Sequence, residues 1–240
     1  MAKIYENIAV TLDSAEENLS KLLAEYERSL TAKNVTAKAV DLTHQICMQL
    51  RSVLDRIAYR CWSLKVAPHL SEKDHAAAKA HIYFPGATSQ EAFDSTLGKW
   101  RLKQADHPSL HSYLLGQQPF TSDRNEWLAV LFDLAVKGKH IDLTPQKRIE
   151  ERRITVSVPN GGSVSWGPGV TFGGGVSVMG APIDPRTQRI VPTPGITEKI
   201  ETWVSFLIDG HNVNAVSFCK YACHETRRIT QEMTDEFRLS

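Results

Sequence analysis

Residues 40–62, VDLTHQICMQLRSVLDRIAYRCW, form the longest clean amphipathic stretch in the chain, and their reading sets the fold. Val40, Thr43, Cys47, Leu50, Leu54, Ile57 and Cys61 recur at alternating spacings of three and four. On a helix turning about 100° per residue that spacing makes one apolar stripe. A stripe this long has to be covered, so a layer of helices is predicted around it. His44, Arg51 and Asp55 stand seven and then four residues apart. They fall within about 40° of one another on a flank of the same helix, where they can act together.

Working upstream, Ser14 followed three positions later by Glu17 has the pattern of a capping box. The first helix is therefore expected to begin there, with Leu19, Leu22, Leu23, Tyr26 and Leu30 on its buried face. The exit at 31–36 is short and polar, which predicts an antiparallel helical hairpin with the 40–62 helix. Downstream, Pro68 breaks the pattern, and Ser71 and Ser89 offer N-caps for two further helices. IYFP at 82–85 reads as an extended connector whose apolar side chains plug into the bundle. Pro108 opens another helix that Gly116 and Pro119 close. SDRNEWLAVLFDLAVK at 122–137 carries Trp127, Val130, Leu131, Leu134 and Val136 on more than one face, which places it centrally. Gly138 is expected to stop this helix in a left-handed cap and to throw Lys139 and His140 out at its terminus.

From Arg152 the texture changes to short β-branched runs separated by glycine clusters, which reads as antiparallel hairpins. The glycines at 173–175 precede a strand, whereas a phosphate loop needs a following helix. IETWVSFLI at 200–208 is a further strand. Val216, Cys219, Cys223, Thr226, Thr230, Met233 and Phe237 then restore helical spacing. Helices, strands, then helix predict an α+β fold: an antiparallel helical bundle with a small antiparallel β-sheet inserted before a C-terminal helix. The expected segments are a bundle over 1–150, a β-rich subdomain over 151–210, and a helix over 211–240 docking on the bundle. Leu50, Leu54, Ile57, Leu131, Leu134 and Met233 are expected to share one core.

Lys and Arg number 28 against 27 Asp and Glu, a net charge of +1, so no global field draws the chain to nucleic acid or anionic lipid. The opening MAKIYENIAV lacks the basic head and apolar run of a secretory signal. No window approaches the roughly 18 consecutive apolar residues of a membrane helix. A soluble, cytoplasmic protein without a membrane segment is the expectation. The four cysteines fit reduced core thiols. Cys219, Cys223 and His224 form a C-x3-C-H run, but His224 turns about 100° away from Cys223, so no metal site is expected, and no cofactor. The nucleophile elbow, phosphate loop, zinc-protease helix and dinucleotide fingerprint are all missing from the sequence.

Taken in order, QLRSVLDRIAY (49–59), YFP (83–85), QQPF (117–120) and KGKHIDLTP (137–145) resemble a widespread family of uncharacterised bacterial proteins. In that family an H-x-L-R-S-x-L-D-H-x-A-Y helix is followed by F-P, Q-P-Y and N-x-D-K-H-R, before a β-rich half and a closing helix. The resemblance implies that Arg51, Asp55, Gln118, Pro119, Lys139 and His140 occupy motif positions, with His44 a looser match. The chain departs from the pattern at Arg56, where the family has its second histidine, at an apolar residue and Gly138 before the Lys-His pair, and at Ile141 in place of arginine. The family brings no established activity with it.

His44, Arg51, Asp55 and His140 are accordingly the candidates for chemistry, and Arg51, Gln118 and Lys139 those for binding. On one account Arg51 and Asp55 form an intrahelical ion pair and His140 caps a helix end. On another, a carboxylate orients an imidazole while arginine binds phosphate, an arrangement that cleaves RNA without metal. A helical bundle carrying such residues also looks distantly like HEPN ribonucleases and their inactive relatives, whose signature is R-x4-6-H. Arg101 to His107, RLKQADH, has that spacing but lacks the polar residue usual after the arginine. A third account is an interaction module whose glycine-rich β half presents loops or an edge strand, with Trp166 and Phe172 available if exposed. The charged neighbours replaced at 138 and 141 favour a noncatalytic binding module with a protein or RNA partner. A HEPN-like protein that cleaves or binds RNA without metal is the alternative.

Overall fold

In the computed structural model the backbone is described for residues 2–32, 35–140, 146–159, 161–167 and 169–239. Side chains are described for 6–29, 35–137, 146, 153–159, 161–167, 169–200 and 207–239. The chain divides into two compact units, Met1–Gln146 with Leu207–Ser240, and Lys147–Phe206.

The first unit is built around α2 (Ala37–Lys65), which Thr36 opens by accepting the Ala39 amide on its hydroxyl. Helix α1 (Ala2–Ala32) returns against it in antiparallel fashion. Arg56 of α2 reaches the Asn7 carbonyl and Thr11 hydroxyl, while Gln49 meets Ser14 and Asn18. The capping-box reading of Ser14 is corrected here, because the helix begins a dozen residues earlier and Ser14 lies in its interior. Ile8, Leu12 and Ala15 are buried and carry the three-four spacing upstream, so packing on α2 outweighs the local cap signal.

Short helices follow. They are α3 (Glu72–Lys79), capped by Ser71, α4 (Gln90–Trp100), capped by Ser89, and α5 (Pro108–Gly116), with proline in its first turn. The connector at 82–87 has no regular structure. Ile82 and Phe84 are buried in the core, whereas Tyr83 between them is 53% exposed. Helix α6 (Glu126–His140) packs on α2 and continues through Gly138, so that glycine does not end it. Val136 is 52% exposed and does not contribute a second buried face. Helix α7 (Ala215–Glu236), capped by Asn214, packs against α1, α2 and α6. Leu50, Leu54, Ile57, Leu131, Leu134 and Met233 all belong to one core and expose no surface. Among the described residues no helix is long and apolar enough to cross a membrane.

The second unit is antiparallel where its pairing is defined. Strands β1 (Gln146–Ser157) and β2 (Ser163–Trp166) form a hairpin with Ile154 opposite Trp166 and Val156 opposite Val164. Strands β3 (Ser177–Val178), β4 (Ala181–Asp184) and β5 (Arg189–Ile190) make a three-stranded meander. The long β6 (Thr197–Ile208) lies beside β1, and its end pairs with β7 (Val213–Asn214) in the first unit. The protein is thus α+β, with small antiparallel sheets placed before a C-terminal helix. Ile154, Val156, Trp166, Ala181, Ile183 and Ile190 form the unit's own core. Trp166 meets Phe172 edge-on at 5.1 Å, so these aromatics pack inward and are not displayed to a partner.

Leu54→Ala removes a wholly buried side chain of the first unit's core. A loss of about 2–5 kcal/mol is expected in a denaturant titration, whereas a loss under about half a kcal/mol would mean that this face of the helix is not buried.

Candidate functional site

Arg51 and Asp55 project from neighbouring turns of α2, and Arg51 Nε donates to both Asp55 oxygens at 3.2 Å. The guanidinium carbon lies 3.6 Å from the centroid of the Phe132 ring on α6, a cation–π arrangement. Asp55 Oδ1 also accepts the Phe84 amide at 2.9 Å. The pair therefore anchors the 82–87 connector to α2. Gly86 lies so close to Phe132 that a Cβ there would fall 2.1 Å from the ring.

The other sequence candidates do different work. His44 is 1% exposed, and its Nδ1 lies 3.0 Å from the Leu134 carbonyl of α6. Because a carbonyl only accepts, Nδ1 carries a proton. Sealed from solvent, this imidazole is not a general base for a substrate in the cleft beside Arg51, which corrects its candidacy for chemistry. Gln118 has no exposed surface, accepts the Ala87 amide at 2.9 Å and donates to the Leu114 carbonyl at 2.7 Å. It fixes the far end of the connector and is not positioned to meet a ligand, which corrects its place among the binding residues. The side chains of Lys139 and His140 lie outside the described residues.

Residues the sequence did not single out carry similar bonds. Arg60 is buried in α2 and donates through Nε to the Leu239 carbonyl beyond α7. Trp62 Nε1 donates to the Trp100 carbonyl at 2.9 Å. Asp133 on α6 accepts from Lys137 at 2.7 Å and meets His211 Nε2 at 2.8 Å. Burial pushes the Asp133 carboxyl upward, but the hydrogen bonds and charges of Lys137 and His211 outweigh it and hold the group below the usual carboxylate value. Cys219 and Cys223 are buried, and burial raises the Cys223 thiol to about 12, while the His224 side chain stands in solvent. Among the described residues no group of three His, Cys, Asp or Glu is placed to hold a metal ion.

Two clefts, of about 470 and 500 Å³, adjoin one another at Arg51 and Tyr83. The first also takes in Arg56, Tyr59 and Lys79, and the second His81, Lys99 and the Phe132 ring. Among the described lining residues Asp55 is the one carboxylate, and it is already paired with Arg51. The groove thus gathers cations around an exposed tyrosine, although the whole chain is nearly neutral. Arg101 and His107 lie elsewhere, in a cleft shared with His69 and Asp74.

Asp55→Ala should destabilise the first unit by about 1–3 kcal/mol, since the Phe84 amide is left without its acceptor, and Asp55→Asn should recover part of that loss in thermal unfolding. Asp133 has a folded-state pKa below its unfolded value of about 3.9. Its stabilisation is therefore fully present above that value and is lost as pH falls through the folded one. The stability difference between wild type and Asp133→Asn should accordingly shrink toward zero between about pH 5 and pH 2. A difference that stays constant across that range would show that the carboxylate is not held by Lys137 and His211.

No family model, characterised protein or solved structure matches this chain, so its function has to be argued from the chemistry of these residues.

Proposed function

We propose that the protein is a noncatalytic binding module whose ligand is single-stranded RNA, held along the groove that runs past Tyr83. The observation that carries this reading is the composition of the two adjoining clefts. Arg56, Lys79 and Lys99 surround an aromatic ring that is 53% exposed, and Asp55, the one carboxylate among the described lining residues, is balanced by Arg51. Cations that follow a backbone and a ring on which bases can stack are the two requirements for binding a single strand. A duplex keeps its bases stacked internally and offers nothing for the tyrosine face. The burial of His44 removes one imidazole from the groove, and Gly138 and Ile141 stand where the resembling family has charged residues around its Lys-His pair, which favours binding over chemistry.

A fluorescently labelled single-stranded oligoribonucleotide, titrated in EDTA, should bind with an affinity that falls as salt rises. Tyr83→Ala should weaken binding by about 5- to 100-fold, the loss of one stacked base. The double change Lys79→Ala, Lys99→Ala should lower the slope of log K against log salt by about 0.7 for each phosphate contact removed. The oligonucleotide should be recovered intact. Cleavage in EDTA would replace this reading with the HEPN-like catalytic one, and an absence of binding at low salt would end both.

A further inference from the structure

A separate cleft of about 890 Å³ opens between the turn that follows α2, the start of α3 and the α4–α5 connection. Its rim carries His69, Asp74, Arg101, Lys103, Asp106 and His107, and its floor is apolar, formed by Val66, Leu70 and Leu102. That volume lies within the range of small-molecule sites. The His69 and His107 rings lie side by side, with centroids 6.0 Å apart and planes tilted by 43°.

Arg101 has a carboxylate partner on this rim. Arg101 ends α4 in the left-handed region at φ 60°, a conformation that side-chain-bearing residues rarely adopt. Its Nε lies 3.2 Å from Asp74 Oδ1, and the second oxygen of Asp74 accepts the Ser71 hydroxyl at 2.8 Å. Asp74 is thereby committed to orienting Arg101. The amides of Asp106 and His107 both donate to the Lys103 carbonyl, a turn that keeps Lys103 and His107 on one rim. Helix α5 starts from His107 with no side-chain cap and no acid in its first turn, so its positive end adds to the same field. Arg101, Lys103 and the two imidazoles thus share one cleft with Asp74, which is already held by Arg101, and with Asp106. An anion entering the cleft meets nitrogen donors from two separate segments of the chain.

We propose that this cleft binds the phosphate group of a small phosphomonoester, with His69, Arg101, Lys103 and His107 donating to its oxygens and the organic part resting on Val66, Leu70 and Leu102. Phosphate suits the set because it offers three or more acceptor oxygens to donors arriving from several directions.

The test is calorimetric titration of the full chain with inorganic phosphate and, separately, with a nucleoside monophosphate, at one fixed pH near neutrality. Saturable one-to-one binding is expected. The double change His69→Gln, His107→Gln and the single change Arg101→Gln should each weaken binding by about tenfold, and Asp106→Asn should tighten it. Equal affinity for both probes would assign the cleft to free phosphate, and tighter binding of the monophosphate would assign it to an ester. In wild-type protein the ring proton resonances of His69 and His107 should move together on adding either probe, a readout that needs no variant. Failure of both rings to respond, or binding unchanged in every variant, overturns the proposal. Neither result bears on RNA binding at the groove past Tyr83, which is read with a different probe and different variants.

Discussion

A helix enclosed by others must satisfy every polar group that it buries, and α2 does so by bonding to the main chain of four separate segments. His44 holds the Leu134 carbonyl on α6, Asp55 the Phe84 amide in the connector, Trp62 the Trp100 carbonyl at the end of α4, and Arg60 the Leu239 carbonyl after α7. An unsatisfied group in any of these places would cost about 1–3 kcal/mol, a large share of the stability of a typical domain. Apolar contact alone would let neighbouring helices slide by a residue or rotate. Bonds to particular main-chain atoms fix register, and the register places each surface feature. Tyr83 is exposed because Ile82 and Phe84 are drawn inward on either side of it, and Phe84 is the residue whose amide Asp55 holds.

The stripe of residues 40–62 was readable because helical spacing survives whatever packs against it. The same three-four rule located α7 and the shared core of Leu54, Leu131 and Met233. Alternating β-branched runs between glycines marked the second unit. What the sequence could not supply was the partner of each polar side chain. His44 and Arg51 share a flank in angle, but seven residues at about 1.5 Å each separate them by some 10 Å along the axis. Over that distance α6 covers one end, while a cleft opens at the other. A histidine that acts as a staple and one that acts as a base are the same residue at the same spacing. Ser14 misled for a related reason: a capping pattern is local, and the burial of Ile8 and Leu12 that overrides it depends on where α2 lies.

The clefts illustrate a second limit on reading charge from sequence. A net charge of +1 describes the average over the surface. Folding brings Arg51 and Arg56 of α2, Lys79 of α3 and Lys99 of α4 to one groove. The spacing of Arg101 and His107 was visible in the chain, but His69, which lies beside His107, comes from another segment, and only the fold brings the rings together.

Gly86 gives this arrangement a mechanical character. With the Phe132 ring 2.1 Å from where a methyl would sit, the absence of one carbon lets the connector close onto α6. The ring is also the surface on which the Arg51 guanidinium rests. A side chain at position 86 would act as a wedge, transmitted through an aromatic plate to an arginine that it never touches. Gly86 lines the cleft with backbone alone, so the width of the groove at this point depends on a side chain that is missing.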